Sequence, residues 1–231
     1  MIQLSRRLLM VANMVTKGNR VADIGCDHGH TSIYLVEHNC SKQIIAMDIN
    51  QGPLARAKEN IKRFHCEKEI DVRLSNGVSA LKADEVDTIL ISGMGGALVI
   101  RILEEGNKII ENVDELILQP QSEISEVRRY LHSIGFTIFN EDMIEEDGKY
   151  YTAIDAKRGK EAYQNEVEYC YGKILLQKKN NSLQRQLTGF VKKHTEIIAK
   201  IKTQEYDKNR KRLFELQKEQ EIMKEALKYF D

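Results

Sequence analysis

Apolar and polar positions change rhythm twice along the 231 residues. Up to about residue 155, short and nearly continuous apolar runs alternate with longer amphipathic stretches. The runs "RVADIG" (20–25), "QIIAMD" (43–48), "IDVRLS" (70–75), "VDTILIS" (86–92) and "ELILQP" (115–120) have the length and β-branched content of strands. Residues 51–65 and 95–111 have helical periodicity. Strands that are apolar on both faces and separated by helices predict a parallel sheet covered on both sides. At the N-terminus, Leu4, Leu8, Val11 and Val15 mark one face of a helix that packs on this body.

The first change follows the helical stretch "EISEVRRYLHSIG". "FTIFNEDMIEEDG" and "KYYTAIDAKRG" read as strands with no helix between them, and "EEDGKY" reads as their hairpin turn. A parallel sheet that ends in an antiparallel hairpin is the α/β layout of class I, Rossmann-like methyltransferases. The second change comes near residue 182. Leu183, Leu187, Phe190, His194, Ile197 and Ile201 form one heptad-type seam; Leu213, Leu216, Gln220, Met223, Leu227 and Phe230 form another. Only "TQEYDKN" separates the seams, so they predict an antiparallel coiled-coil helical hairpin within one chain, and a monomer. His194 and Gln220 are expected to set its register. The division expected is 1–160 for the methyltransferase domain and 161–231 for the coiled-coil domain.

Composition sharpens this division. Hydrophobic residues make up 42 % and charged residues 30 %, as in a folded soluble protein. No apolar run has the length of a membrane span. The segment "MIQLSRRLLMVANMV" lacks the cleavage site of a signal peptide. The formal net charge is zero, yet residues 1–155 hold 17 basic against 24 acidic side chains, and the remainder holds 18 against 11. A basic tail on an acidic body suits a polyanion partner. A solvated Lys-rich hairpin would look the same by charge alone. The four cysteines, Cys26, Cys40, Cys66 and Cys170, form no zinc or disulfide pattern, and a reduced cytoplasmic location fits them. Cys26 is expected to be a small filler.

The candidate chemistry lies at the carboxyl ends of the strands, where open α/β sheets bind ligands. Asp23 and Gly25 end the first strand. Asp48, followed by Ile49, ends the second, where an acid accepts hydrogen bonds from ribose hydroxyls. Asn76 and Gly77 end the third, where they can meet an adenine edge. Ser92, Gly93, Met94, Gly95 and Gly96 end the fourth. The first loop lacks the glycines that admit a pyrophosphate, and Asp27 would repel phosphates. Acids there favour S-adenosylmethionine, whose sulfonium and ammonium are positive. Asp27 and His28 are the candidate catalytic pair; alternatively Asp27 caps the helix that begins near Gly29 and His28 simply packs. His28 and His30 have no third partner in sequence, so no metal is expected.

"DIGCDHGHTSIYL", "ISGMGG", "LILQPQ" and the tail hairpin together resemble the bacterial tRNA (adenine-22-N1)-methyltransferase family over essentially the whole chain. Cys26 and Gly29-His30-Thr31 depart from the pattern expected in the first loop. The resemblance implies S-adenosylmethionine as methyl donor and N1 of adenine 22 of tRNA as acceptor. In the tail, Lys192, Lys193, Lys208, Arg210, Lys211 and Arg212 are the candidate RNA-binding residues. A methyltransferase acting on a small molecule or protein, and a non-catalytic RNA-binding scaffold, are the competing readings. The basic hairpin argues against the first and the intact strand-end residues against the second. The missing Asn-Pro pair after the fourth strand favours a ring nitrogen over an exocyclic amine.

Overall fold

The computed structural model describes the backbone of residues 1–203 and 206–231, and the side chains of residues 1–202 and 211–231. In chain order the described residues form α1 (Arg6–Ala12), β1 (Val21–Ile24), α2 (His30–Glu37), β2 (Ile44–Asp48), α3 (Gln51–Arg63), β3 (Ile70–Leu74), β4 (Thr88–Met94), α4 (Gly96–Glu105), α5 (Asn107–Ile110), β5 (Glu115–Pro120), α6 (Ile124–Ser133), β6 (Phe136–Glu146), β7 (Lys149–Arg158), α7 (Glu166–Tyr171), α8 (Lys173–Gln177), α9 (Asn181–Thr203) and α10 (Tyr206–Leu227). The strands make one sheet in the order β3-β2-β1-β4-β5-β7-β6.

Strand β1 lies between β2 and β4 and runs parallel to both, with Ala22 opposite Ile45 on one side and Ile89 on the other. All four of its residues are buried, as are all five of β2 and all six of β5. That burial on both faces is why these runs are mostly apolar, with Asp23, Asp48, Glu115 and Gln119 as their buried polar residues. Strand β7 joins antiparallel to β5, with Leu116 opposite Ala156. The β6–β7 turn is Asp147-Gly148, and both residues have positive φ (51° and 73°). This backbone matches the twist of the flanking strands in a two-residue hairpin.

The predicted helix over 95–111 is two helices. A Cβ on Gly106 would collide with Val78, and Gly106 separates α4 from α5 there. The N-terminal helix buries Met10, Val11 and Ala12, and Met14 and Val15 follow it into the core, whereas Leu4 and Leu8 are only half-buried.

The chain separates into two compact units: residues 1–142 with 151–162, and residues 143–150 with 163–231. The second unit includes the hairpin tip because Met143 is buried with Leu175, Leu176, Leu183, Leu187, Met223 and Ala226. A second cluster contains Ile198, Leu213 and Leu216. These pairings run α9 and α10 antiparallel. Between the clusters Gln220 Nε2 donates to Thr195 Oγ1 (2.7 Å) and to the Val191 carbonyl (3.3 Å), so a polar layer divides the apolar seam. Phe190 departs from its predicted seam place: it is 42 % exposed, and Val191 packs inward instead. Likewise Ile198 is buried where Ile197 was expected, so the seam on α9 drifts by one residue, as a straight 3.6-residue helix does against a 3.5-residue repeat. No helix among the described residues is long and apolar enough to cross a membrane.

A Cβ on Gly148 would meet nothing within 4 Å. The cost of Gly148→Ala should therefore be backbone strain alone, about 1 kcal/mol. Chemical denaturation should show the midpoint falling with an unchanged slope; a fully neutral substitution would mean that the turn is not held in the left-handed conformation.

Candidate active site

A cleft of about 490 Å³ opens at the carboxyl ends of β1, β2, β3 and β4. Asp23, Gly25, Asp27, His28, Asp48, Ile49, Asn76, Gly77, Gly93 and Met94 all line it. Strand register brings them together: the amides of Gly25 and Cys26 both donate to the Met47 carbonyl (2.7 and 2.9 Å), which seats the first loop on the end of β2. Gly25 has φ +72°, and a Cβ there would strike Met94 Cε. Any other residue would strain this left-handed backbone and force the Met94 side chain aside.

Asp23 is 3 % exposed, and its Oδ2 accepts a hydrogen bond from Ser32 Oγ (2.7 Å) in the first turn of α2. Burial pushes its carboxyl up to about 6; the Ser32 hydrogen bond opposes this and the Asp48 charge adds to it. Asp48 is 9 % exposed, and one of its oxygens accepts the Asn50 amide (2.8 Å). Ile49 is 59 % exposed at the cleft edge. A buried carboxylate beside a second one is costly unless a cation comes to it, so the donor set suits a positively charged ligand.

Asp27 has φ 49°, and its side chain is 67 % exposed. It does not cap α2: Gly29 occupies the N-cap position, with no side-chain hydrogen bond to the helix. Its Oδ1 lies 3.5 Å from His28 Nε2. The His28 carbonyl accepts Asn60 Nδ2 (3.0 Å), and the His28 and His30 rings stack at 5.5 Å. Burial, and then His28, lower the His30 pKa. Burial and the charges of Asp23, Asp48 and Asp27 drive the Cys26 thiol far up, which leaves it an inert filler. Among the described residues no group of three His, Cys, Asp or Glu could hold a metal ion.

The cleft also has a wall that the strand-end pattern did not predict. Arg7 and Leu8 from α1, Leu98, Arg101 and Ile102 from α4, and Gln121 after β5 line it. Arg7 Nη1 donates to Gln119 Oε1 (2.9 Å), the oxygen that also accepts the Gly93 amide (3.2 Å). The Arg7 guanidinium lies 5.5 Å from the Tyr151 ring centre. The local signals were slight: an arginine beside a buried helix face, and two glutamines flanking Pro120 in "LQPQ". In the tail, Lys192 and Lys193 are exposed on α9, and Lys211 and Arg212 on α10, with Arg212 3.4 Å from Glu215. The side chains of Lys208 and Arg210 lie outside the described residues.

A seven-stranded sheet whose penultimate strand in the order runs antiparallel, with acids at the ends of its first two strands, defines a class I methyltransferase. A methyltransferase domain family matches residues 4–154. The tRNA (adenine(22)-N(1))-methyltransferase of Bacillus subtilis is 32 % identical over 232 residues, covering 98 % of each chain. Sp1610 of Streptococcus pneumoniae, solved with S-adenosyl-L-methionine, superposes with a TM-score of 0.83 at 32 % identity, over 97 % of this chain and 100 % of that one. The Mycoplasma capricolum TrmK complex with S-adenosyl-homocysteine superposes at 0.84 with 28 % identity, over 99 % of both. The chain belongs to the tRNA (adenine(22)-N(1))-methyltransferase family.

Asp23 also ties the site to stability. Its folded pKa of about 6 lies above the ordinary carboxyl value of 3.8. Ionisation therefore destabilises the ligand-free fold fully above pH 6, and the penalty fades as pH falls toward 4. Asp23→Asn should stabilise the ligand-free protein at pH 8, by up to about 3 kcal/mol, and by less at pH 5. Denaturation of both forms at the two pH values measures this; a pH-independent difference would contradict it.

Proposed function

We propose that this protein transfers the methyl group of S-adenosylmethionine to N1 of adenine 22 of tRNA. The carrying observation is that Asp23, Asp27 and Asp48 converge on one cleft in a chain that aligns along 98 % of its length with an enzyme of that name. S-adenosylmethionine supplies an electrophilic methyl on a cationic sulfonium, and the acidic cleft fits that charge. Asp23 and Gly25 take its amino-acid end, Asp48 its ribose hydroxyls, Ile49 the face of its adenine, and Asn76 and Gly77 the edge. Gly93 and Met94 border the reacting centre.

Adenine N1 has a free lone pair at neutral pH, so no base need remove a proton before transfer. The chain must instead hold N1 about 3 Å from the methyl carbon, in line. N1 lies on the pairing edge, so the base is presented unpaired or flipped. Asp27, exposed in the cleft and beside His28, accepts a hydrogen bond from the N6 amino group. That contact shifts electron density toward N1 and offsets the positive charge of the product; His28 positions the carboxylate.

The domain spanning 1–160 performs this chemistry, and the tail, 161–231, holds the tRNA through Lys192, Lys193, Lys211 and Arg212, joined by Lys208 and Arg210. Charge supports this division, because the first 155 residues carry a net −7 and the rest +7. We also assign the protein to the cytoplasm as a monomer. The free thiols and the α9–α10 pairing within one chain support that assignment.

Asp27→Asn should lower the methylation rate by roughly 100-fold or more while leaving cofactor affinity nearly unchanged. Asp48→Ala should do the reverse, weakening cofactor binding about 10- to 150-fold. Calorimetry and single-turnover methylation on both variants test the pair, and a rate within a few-fold of normal for Asp27→Asn would remove it from catalysis. For the tail, joint Lys192→Glu and Lys193→Glu should raise the tRNA Kd. The same change should flatten its salt dependence by about 0.7–0.9 per lost phosphate contact. Filter binding across a salt series decides this; an unchanged slope would take both lysines out of the interface.

A further inference from the structure

The reaction itself restricts how the target base can be recognised. Adenine is usually told from other bases by its pairing edge, but here N1 must stay bare for the incoming methyl. Recognition can then use N6 together with N7 of the five-membered ring, the edge that faces away from the pairing side. A side-chain carboxamide fits that pair: its oxygen accepts from N6–H, and its nitrogen donates to N7. Guanine offers acceptors at both positions, so the same amide oxygen would face O6 and reject it.

Two glutamines flank Pro120, and the structure separates their roles: Gln121, just after β5, lines the cleft, whereas Gln119, within the strand, does not. Gln119 is fully buried, and its Oε1 is occupied by Arg7 and the Gly93 amide. Gln121 is exposed in the same cleft, and its side chain makes no hydrogen bond among the described residues. Its backbone is fixed, however: the Gln121 amide donates to the Met94 carbonyl (2.8 Å), which anchors it to the glycine-rich end of β4. A Cβ built on Gly93 would lie 3.8 Å from Gln121 Nε2 and 3.6 Å from Arg7 Nη1. Gly93 therefore sets bare backbone beside both the neutral amide of Gln121 and the guanidinium of Arg7.

We infer that Gln121 is the residue that identifies the target base as adenine, by accepting from N6 and donating to N7 while leaving N1 open. Arg7, held by Gln119 and Tyr151, supports this wall and places a positive charge beside the phosphate-bearing substrate. The inference rests on the N1-adenine reading given above. It assigns the recognition of the acceptor to a position outside the cofactor-binding loops.

The test pairs a protein change with a single-atom change in the substrate. Transcripts carrying adenosine or 7-deazaadenosine at position 22 are methylated by the unaltered protein and by Gln121→Ala and Gln121→Glu. The deaza base lacks the N7 acceptor. The unaltered protein should lose roughly 10-fold in kcat/KM on it, and Gln121→Ala should lose roughly 10- to 100-fold on adenosine. Gln121→Ala should show no further loss on the deaza base, because the contact is already gone. Gln121→Glu, which keeps the acceptor but not the donor, should be equally blind to N7. Cofactor affinity by calorimetry should match in all three proteins. Full activity of Gln121→Ala, or a deaza penalty that persists in it, would overturn the assignment. Failure of the unaltered protein to methylate adenine 22 at all would instead overturn the functional reading beneath it.

Discussion

The hydrogen bond from the Ser32 hydroxyl to the Asp23 carboxylate joins the middle of the sheet to the first turn of α2, and the cleft is arranged around it. Asp23 sits on the central strand, flanked by β2 and β4, in a position where every neighbour along the strand is apolar and buried. A charge is expensive there, and the single hydroxyl offsets only part of the cost. The carboxyl consequently sits near pH 6 in the ligand-free protein. The fold retains a local electrostatic cost, which a cation brought beside the carboxylate would offset. This is the stability–function conflict expected where a site, rather than the core, sets the residue type.

The cleft is chemically two-sided. One side carries three carboxylates, Asp23 in β1, Asp48 at the end of β2 and Asp27 in the loop after β1, and suits a cation. The other carries Arg7 and Gln121, with buried Gln119 holding Arg7 in place. A Cβ on Gly25 would meet Met94 Cε, and one on Gly93 would lie beside Arg7 and Gln121. Transfer between a charged donor and a neutral ring nitrogen needs alignment more than acid–base chemistry. The inert state of Cys26 accords with a site made for placement.

The tail follows a different logic. Its two apolar clusters are separated by Gln220, which spends its amide on Thr195 and the Val191 carbonyl. A polar residue in a helical seam costs stability but penalises every slipped register, in which the amide would be left unpaired. Among the described residues, Lys192, Lys193 and Lys211 of the tail are exposed.

The sequence alone determined the strands, their parallel arrangement and the terminal hairpin. Burial on both faces forces continuous apolar runs, and an Asp-Gly turn leaves a local signature. It also exposed the strand-end half of the cleft, since Asp23, Asp48, Asn76 and Gly93 each stand where an apolar run stops. Only the tertiary structure decided the rest. The break at Gly106 depends on Val78, which arrives from another part of the chain. That Asp27 is not a cap follows from the backbone that places Gly29, not Asp27, at the start of α2. Phe190 lies outside the α9 seam because the helix turns by 3.6 residues while the pattern was read at 3.5. Arg7 and Gln119, 112 residues apart, meet only because α1 packs near the end of β5. Periodicity reports which face of an element is buried, and it is silent on which distant side chain will share a cleft with it.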